Sequence, residues 1–224
     1  MTDLSRDVLF NELSAAIING DQQLAQELAQ KSIDEDLNSI ETLQECLIPA
    51  MDVVGKKFET QEFFLPEILI AARAMESALS ILKPELEKRR IQDQNLEKPV
   101  TVVMGTVKGD IHDIGKNLLR FFMEGAGYKV FDLGTEVSAE TFVEQVKKRK
   151  ANLLCMSALI STTMPYFAQV IKKIDEAGLR NKVKIMVGGA PVNEEYAKKV
   201  KADAYAEDAF HAVQVARILV EREK

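Results

Sequence analysis

The first 89 residues carry a helical pattern of hydrophobic and polar positions. Four segments repeat apolar residues at steps of three and four, with turn signals at residues 19–21 and 34–39. The fourth segment is the clearest, because its apolar residues fall on one face of a helix: Leu65, Ile68, Ala72, Met75, Leu79 and Leu82. Pro66 suits the first turn of this helix, where a missing backbone N–H costs nothing. The pattern predicts an all-helical domain over residues 1–89.

A different pattern begins at Pro99, where short β-rich segments alternate with amphipathic helices. We predict strands at residues 100–104, 129–133, 153–157, 184–187 and 202–206, and helices at about 114–125, 139–150, 165–177, 194–201 and 209–223. Strictly alternating βα units imply an α/β domain with a parallel, doubly wound sheet and right-handed crossovers. Five strands make the predicted sheet flavodoxin-like, a Rossmann-like arrangement, rather than a six-stranded dinucleotide fold.

A polar segment separates the two patterns. Residues 90–98 show no periodicity and end at a proline, which is typical of a linker. The sequence therefore predicts a helical domain at 1–89, a linker at 90–98 and the α/β domain at 99–224.

Composition and charge narrow the classes of function. Hydrophobic residues make up 46% of the chain and charged residues 29%, which excludes a disordered or disulfide-stapled protein. The net charge of −6, without a basic stripe, argues against a nucleic-acid partner. Apolar runs are too short to cross a membrane, and the charged N-terminus resembles neither a signal nor a transit peptide. We therefore expect a cytoplasmic protein, in which Cys46 and Cys155 are reduced thiols.

Three polar or glycine-rich segments follow strands of the predicted sheet. Residues 107–117 come after the first strand, 157–163 after the third and 187–191 after the fourth. Ligands of open parallel sheets bind beyond the carboxyl ends of the strands, so the three segments are expected to converge on one binding edge.

One of the two histidines lies in the first of these segments, between carboxylates. Asp110 and His112 are two residues apart in an extended loop, so the carboxylate can bind one ring nitrogen and leave the other as a base or metal ligand. Gly109 and Gly115 bracket the loop and permit the close approach of a bulky group. A zinc or iron site needs two or three protein ligands. A single histidine suits a metal whose other ligands come from a cofactor, and haem and cobalt corrinoids are the candidates.

The motif Asp110-x-His112-x-x-Gly115, followed by Ser157-x-Leu159 and Gly188-Gly189, resembles the B12-binding domain of methionine synthase and the cobalamin-dependent mutases. The preceding segment Phe63-Phe64-Leu65-Pro66 and its helix resemble the four-helix cap of methyl-corrinoid proteins. In length and order, the whole chain is similar to the small corrinoid proteins of methylamine, methanol or betaine methyltransferase systems. The resemblance covers essentially all 224 residues.

The resemblance implies a set of roles at the lower face of a cobalamin or related corrinoid. The cofactor would be bound base-off, passing between its cob(I)alamin and methylcob(III)alamin forms, with His112 as the lower axial cobalt ligand. Asp110 would hydrogen-bond this histidine, and Thr163 would supply the hydroxyl of a His–Asp–hydroxyl relay. The cofactor contacts expected from the rest of the motif loop are Gly109, Ile111, Asp113 and Gly115.

The resemblance also implies contacts with the nucleotide tail and the upper face of the cofactor. For the tail these are Ser157, Ser161, Gly188, Gly189 and, more loosely aligned, Ala209. Leu159 is a further expected cofactor contact of the motif. The apolar residues that would cover the methyl group are Phe58, Phe64, Leu65 and Ile68.

The function implied by the resemblance is that of a methyl carrier. A substrate-specific methyltransferase would load the corrinoid, an acceptor methyltransferase would unload it to tetrahydrofolate or a thiol, and a reductive activase would restore it. The chain would be a cofactor-bearing subunit with no catalytic residue of its own and no nucleic-acid or membrane partner. Methylamines, methanol, betaines and aryl methyl ethers are all compatible methyl donors.

Two other functions fit the same B12 motif. A B12-dependent sensor also pairs a helical cap with this fold, but it needs a DNA-binding module, which the acidic charge disfavours. The small subunit of an adenosylcobalamin mutase usually lacks the helical cap, so the segment Phe64-Leu65-Pro66 disfavours this alternative.

Overall fold

The computed structural model describes residues 3–92 and 99–221, which form two compact units. The first unit contains the N-terminal helices and the four residues Glu124–Gly127. The second unit contains a β-sheet and the helices that cover it. Each unit has its own buried core.

The first unit is built from helices alone. Its elements are α1 (Asp3–Ile18), α2 (Gln22–Asp34), α3 (Ser39–Glu41), a π-helical segment (Thr42–Leu47), α4 (Ile48–Glu59) and α5 (Leu65–Gln92). Two of these helices are capped at their N-terminus by a side chain. Asp21 accepts a hydrogen bond from the N–H of Leu24 at the start of α2, and Asn38 accepts one from the N–H of Ile40 at the start of α3. The helices bury a common apolar core that includes Leu13, Ile17, Leu47, Val54, Ile68 and Leu82.

The second unit is a five-stranded, wholly parallel sheet. The strands are β1 (Thr101–Thr106), β2 (Lys129–Asp132), β3 (Leu153–Ser157), β4 (Lys184–Gly188) and β5 (Ala204–Ala206). They are ordered β2-β1-β3-β4-β5, the order of a flavodoxin-like sheet. The connecting helices are α6 (Ile114–Gly125), α7 (Ala139–Arg149), α8 (Tyr166–Glu176) and α9 (Glu194–Lys199), and α10 (Ala209–Glu221) follows the last strand.

Both faces of the sheet are covered, as the continuous apolar runs of the strands require. On one face, Val103, Leu154 and Ile185 belong to a buried cluster with Phe142 of α7 and Phe167 of α8. Successive strand residues point to opposite faces, so the alternate residues of the same strands face the other layer. In that layer the rings of Phe122 in α6 and Phe210 in α10 lie 6.0 Å apart.

The structure confirms the predicted fold class, a helical N-terminal region followed by a parallel five-stranded sheet. The bounds of β3 and α6 match the prediction, and β5 is shorter because it begins at Ala204 rather than residue 202. Strand β1 continues to Thr106, since its last residues pair with Met156 and Ser157 of β3. Helix α5 continues to Gln92, so the first residues of the predicted linker are helical, and linker residues 93–98 lie outside the described part of the chain. Among residues 3–92 and 99–221, no helix is long and apolar enough to span a membrane.

A glycine at the end of β4 allows two backbones to approach closely. Gly189 has φ of +125°, and a Cβ placed on it would lie 1.9 Å from the carbonyl oxygen of Ala158. Gly178 also has a positive φ, +68°, but a Cβ there would meet no atom within 4 Å. A side chain at Gly178 would meet only backbone strain, whereas one at Gly189 would meet backbone strain and a steric clash.

We predict that Gly189→Ala destabilises the protein more than Gly178→Ala. The Gly178 variant should lose about 1 kcal/mol, the cost of a left-handed conformation for an L-residue. The Gly189 variant should lose about 3–5 kcal/mol, because the added methyl group also displaces the backbone after β3. Urea unfolding followed by circular dichroism measures both values, and equal losses would contradict the steric account.

Candidate functional site

The site lies at the carboxyl edge of the sheet, where β1 and β3 are neighbours. From β1 the chain moves outward to β2 on one side and then crosses to β3 on the other side. Ligands of doubly wound sheets bind at such a switch point. The loop after β1 turns sharply at Gly109, whose φ is +88°, and the N–H of Asp110 donates to the carbonyl of Val107 over 3.1 Å. The turn places Asp110 beside the loop that follows β3.

The carboxylate of Asp110 is buried and connects the two loops. Its Oδ1 accepts hydrogen bonds from the backbone N–H of His112, at 3.1 Å, and from the imidazole Nδ1 of His112, at 2.7 Å. Its Oδ2 accepts from the backbone N–H of Leu159 at 2.8 Å and from the Thr163 hydroxyl at 2.9 Å. Both oxygens are therefore fully engaged, as a buried carboxylate requires.

These hydrogen bonds set the ionisation of Asp110. Burial removes water from the carboxylate and acts to raise its pKa, but the donors from His112, Leu159 and Thr163 outweigh burial. The pKa of Asp110 is therefore held well below its ordinary value. The group is a carboxylate at neutral pH and acts as an acceptor towards the imidazole.

His112 is anchored at three of its atoms. Asp110 binds its backbone N–H and its Nδ1, and its carbonyl oxygen accepts a hydrogen bond of 2.8 Å from the Thr106 hydroxyl. Its side chain is nevertheless 47% exposed. Since Asp110 accepts at Nδ1, the proton is kept on that nitrogen, and the lone pair of Nε2 is available to a ligand.

Large apolar side chains lie in the two loops that Asp110 connects, and they are named here the apolar rim. Ile111 and Ile114 flank His112, and Leu159 and Ile160 lie in the loop whose N–H groups bind Asp110. The four side chains are between 41% and 72% exposed. Large exposed apolar side chains clustered at a binding edge indicate a ligand with an extended apolar surface.

The other predicted residues of the sheet domain fall on the same edge. Ser157 ends β3, and Ser161 is exposed in the loop after it. Gly188 ends β4, next to Gly189. Gly115 lies in the first turn of α6, and a Cβ placed there would meet no atom within 4 Å. Exposed Asp113 accepts a hydrogen bond from Asn117, and buried Ala209 begins α10.

The four residues predicted in the helical unit have different exposures. Phe64 is 62% exposed and Leu65 is 37% exposed, whereas Phe58 is half-buried and Ile68 is buried. The N–H of Phe64 donates to the side chain of Glu67, which fixes the entrance of α5. Their contact with a cofactor stays a prediction.

Sequence reasoning missed two features of the site. Thr106 is fully buried at the end of β1, and its role becomes visible only when the strand register places it beside Ser157. Lys116 is buried in the first turn of α6, where its ammonium group pairs with Asp132 at the end of β2. Most lysines are exposed, so a sequence does not by itself indicate a buried one. The amphipathic pattern of α6 could have indicated it, because a lysine on the apolar face of a helix is expected to be buried.

The edge fits a corrinoid, a flat macrocycle that carries cobalt at its centre. A protein nitrogen can serve as an axial ligand of such a group, and Nε2 of His112, whose ring Asp110 holds through Nδ1, would be suited to this position. The macrocycle also needs an apolar surface and open space, which the exposed isoleucines and the vicinity of Gly115 offer. The fold and the site thus define a class, a flavodoxin-like domain that binds a large metal-bearing cofactor at its carboxyl edge.

Comparison with known proteins identifies the family within this class. Two families, each described as a B12 binding domain, match residues 100–214 and residues 9–83. The chain belongs to the B12-binding corrinoid proteins.

Similar proteins match the chain almost from end to end. A corrinoid protein of Desulfitobacterium hafniense is 42% identical over 208 residues, which cover 93% of this chain and 95% of that protein. The trimethylamine corrinoid protein of Methanosarcina barkeri is 41% identical over 209 residues, with coverages of 93% and 95%. The crystal structure of the methanol:cobalamin methyltransferase complex of Methanosarcina barkeri matches with a TM-score of 0.82 and 30% identity, over 96% of this chain and 80% of that one.

We predict that Asp110→Asn destabilises the protein by about 3 kcal/mol at neutral pH, the scale of a lost buried charged acceptor. An amide presents an N–H₂ group where the carboxylate accepted hydrogen bonds, so at least one donor loses its partner. Asp113→Asn is the matched control, because Asp113 is exposed in the same loop. Urea unfolding at pH 7 measures the difference, and equal stability of the two variants would contradict the role of the carboxylate.

The same pair tests the lowered pKa of Asp110. Below the ordinary carboxyl pKa of 3.8, the unfolded chain takes up a proton at Asp110 while the folded chain does not. The stability contributed by Asp110 is therefore lost as the pH falls through that range. We expect the stability gap between wild type and Asp110→Asn to narrow on acidification, and a gap independent of pH would contradict the assignment.

Proposed function

We propose that the chain carries a methyl group on a corrinoid between two methyltransferases. The observation that carries this proposal is the imidazole of His112, held through Nδ1 by a buried carboxylate and open at Nε2. The names of its relatives support it, since they are corrinoid proteins, several of trimethylamine or monomethylamine. The match of a B12 binding domain to the helical residues 9–83 favours this function over the mutase subunit, and the acidic charge of the chain favours it over the sensor.

His112 is proposed as the lower axial ligand of a base-off corrinoid. When bound, the cofactor supplies a cobalt centre that accepts and releases a methyl group. Asp110 holds the proton on Nδ1 of His112, so the lone pair of Nε2 is available to bind the metal. Thr163 restrains Asp110 on the other side, with its hydroxyl 2.9 Å from Oδ2 and 2.8 Å from the carbonyl of Ile160. The hydroxyl of Thr163 has one proton and two acceptors within reach. It can therefore turn from Asp110 to the carbonyl of Ile160 and still make a hydrogen bond.

The carboxyl edge supplies the proposed contacts for the remaining parts of the cofactor. Gly188 and Gly189 are proposed to meet the nucleotide tail through their backbone, because the carbonyl oxygens of Ala206 and Ala158 occupy the space where their side chains would stand. Ser157 and Ser161 offer hydroxyl groups to the same tail, and Ala209 lies at the start of α10. The other proposed contacts of the motif loops are Gly109, Ile111, Asp113, Gly115 and Leu159.

The proposed partners follow from the methyl-carrier role. The similar chain in the methanol complex belongs to a methyltransferase assembly, which supports docking of a substrate-specific methyltransferase. An acceptor methyltransferase and a reductive activase complete the proposed cycle. The chain is proposed to act in the cytoplasm as the shuttle between them.

The direct test of the proposed function is methyl transfer in vitro. The chain is reconstituted with hydroxocobalamin, reduced, and incubated with candidate methyltransferases and a panel of methylamines, methanol, betaine and aryl methyl ethers. We expect one donor and its enzyme to produce the absorption spectrum of the methylated cofactor on this chain. A reconstituted chain that no donor and enzyme pair methylates would contradict the carrier role.

We predict that His112→Ala loses the axial histidine, whereas His211→Ala keeps it. These are the two histidines of the chain, so the second variant is a matched control. After reconstitution with hydroxocobalamin and desalting, the His112 variant should show an altered spectrum and about tenfold or more weaker retention. An unchanged spectrum in His112→Ala would exclude axial ligation by this residue.

We predict that Phe64→Ala leaves the stability of the protein within about 0.5 kcal/mol of wild type, because exposed side chains contribute little to folding. Phe64 and Leu65 are proposed to cover the methyl group and to exclude solvent from it. Truncation of either side chain to alanine should therefore accelerate loss of the methyl group in water. Decay of the methylated cofactor in the dark is followed by absorption. Ile68→Ala is the contrasting variant, because this buried residue should reduce stability by about 2–4 kcal/mol. Decay at the wild-type rate in Phe64→Ala would contradict the covering role.

A further inference from the structure

A short chain of hydroxyl groups leads from the end of β3 to the backbone of His112. Thr106 and Ser157 are register partners at the carboxyl ends of β1 and β3, and their Oγ atoms lie 2.9 Å apart. The Thr106 hydroxyl also lies 2.8 Å from the carbonyl oxygen of His112. Thr106 is fully buried and Ser157 is half-buried. Water therefore has little access to these hydroxyl groups, and loss of either hydrogen bond costs stability.

Counting protons fixes the direction of this chain. A carbonyl oxygen only accepts, so the single hydroxyl proton of Thr106 is donated to His112. The bond between the two hydroxyl groups must then be donated by Ser157. The order is Ser157 to Thr106 to the carbonyl of His112, and each donor polarises the next.

The bond from Thr106 restrains the peptide that joins His112 to Asp113. Asp110 binds the N–H and the ring of His112, and Asn117 binds the carbonyl and the carboxylate of Asp113, so neither acts on the carbonyl of His112 itself. Within the described residues, that carbonyl accepts its hydrogen bond from Thr106. Loss of this bond removes the direct restraint on the peptide after His112, whose orientation affects the direction of the imidazole.

We propose that Thr106 is a positioning residue for His112 and that it couples Ser157 to the axial ligand. The coupling rests on the proposed function, in which Ser157 contacts the nucleotide tail and His112 ligates cobalt. A tail atom that accepts the proton of Ser157 takes it away from Thr106 and weakens the hold of Thr106 on the carbonyl. Occupation of the tail site is thereby transmitted to the loop that carries the imidazole.

The first experiment uses the chain without cofactor. Thr106→Val removes the hydroxyl with little change of shape, and Thr106→Ser restores it. Thr101→Val is the matched control on the same strand, because Thr101 bonds to Asn152 through its backbone N–H, and its hydroxyl has no partner within the described part of the chain. Exchange of the His112 amide hydrogen, which Asp110 binds, is followed by nuclear magnetic resonance and should accelerate about tenfold in Thr106→Val, the factor expected for one lost buried hydrogen bond. Thr106→Ser and Thr101→Val should stay within about threefold of wild type.

The second experiment measures the coupling in the loaded chain. Wild type, Thr106→Val, Ser157→Ala and the double variant are reconstituted with hydroxocobalamin, and the histidine-ligated fraction is read from the absorption spectrum. Ser157→Ala should change this fraction in the wild-type background and should have no further effect when Thr106 is valine. With cobinamide, a corrinoid without the tail, Ser157 keeps its bond to Thr106, so Ser157→Ala should change the ligated fraction more than it does with hydroxocobalamin.

The outcomes separate the two proposals. A folded wild-type chain that retains no corrinoid overturns the proposed function, while the exchange experiment still decides the role of Thr106. Wild-type exchange and wild-type ligation in Thr106→Val overturn the positioning role. Additive effects of Thr106→Val and Ser157→Ala overturn the coupling. If Thr106→Val does not fold, Ser157→Ala tests the chain alone, since it removes the donor to Thr106 and should accelerate exchange of His112 by about threefold.

Discussion

The site depends on one buried carboxylate. Asp110 accepts hydrogen bonds from the loop after β1 on one oxygen and from the loop after β3 on the other. A buried carboxylate without donors costs several kcal/mol, so the two loops must close around it for the domain to fold. The folding requirement and the functional requirement are therefore met by the same contacts. What stabilises the sheet edge also fixes the direction of the imidazole.

This arrangement explains how a chain with two histidines supports metal chemistry. In the proposed function the corrinoid carries the equatorial ligands of its cobalt, so one imidazole would complete the protein's share of the ligands. The polar contacts hold that imidazole in place, since Asp110 binds the ring of His112 and Thr106 binds its carbonyl. The exposed apolar side chains of the same loops would then meet the face of the cofactor.

Hydrophobic periodicity predicted the fold because each element depends mostly on its own residues. The helix 114–125 and the strand 153–157 were predicted within their observed bounds, and the pair Asp110 and His112 follows from spacing in one loop. Contacts between distant segments were not predictable in this way. The extension of β1 to Thr106, its bond to Ser157 and the buried pair of Lys116 with Asp132 all depend on strand register, which a single sequence does not reveal.

The central claim, that His112 ligates the cobalt of a bound corrinoid, is tested most directly by electron paramagnetic resonance of the cob(II) form. The chain is prepared once with ordinary histidine and once with nitrogen-15 histidine. Ligation by His112 predicts that the nitrogen superhyperfine pattern changes from triplets to doublets on labelling. A triplet pattern that persists in the labelled protein would show that the axial nitrogen comes from the cofactor's own base, and it would contradict the account.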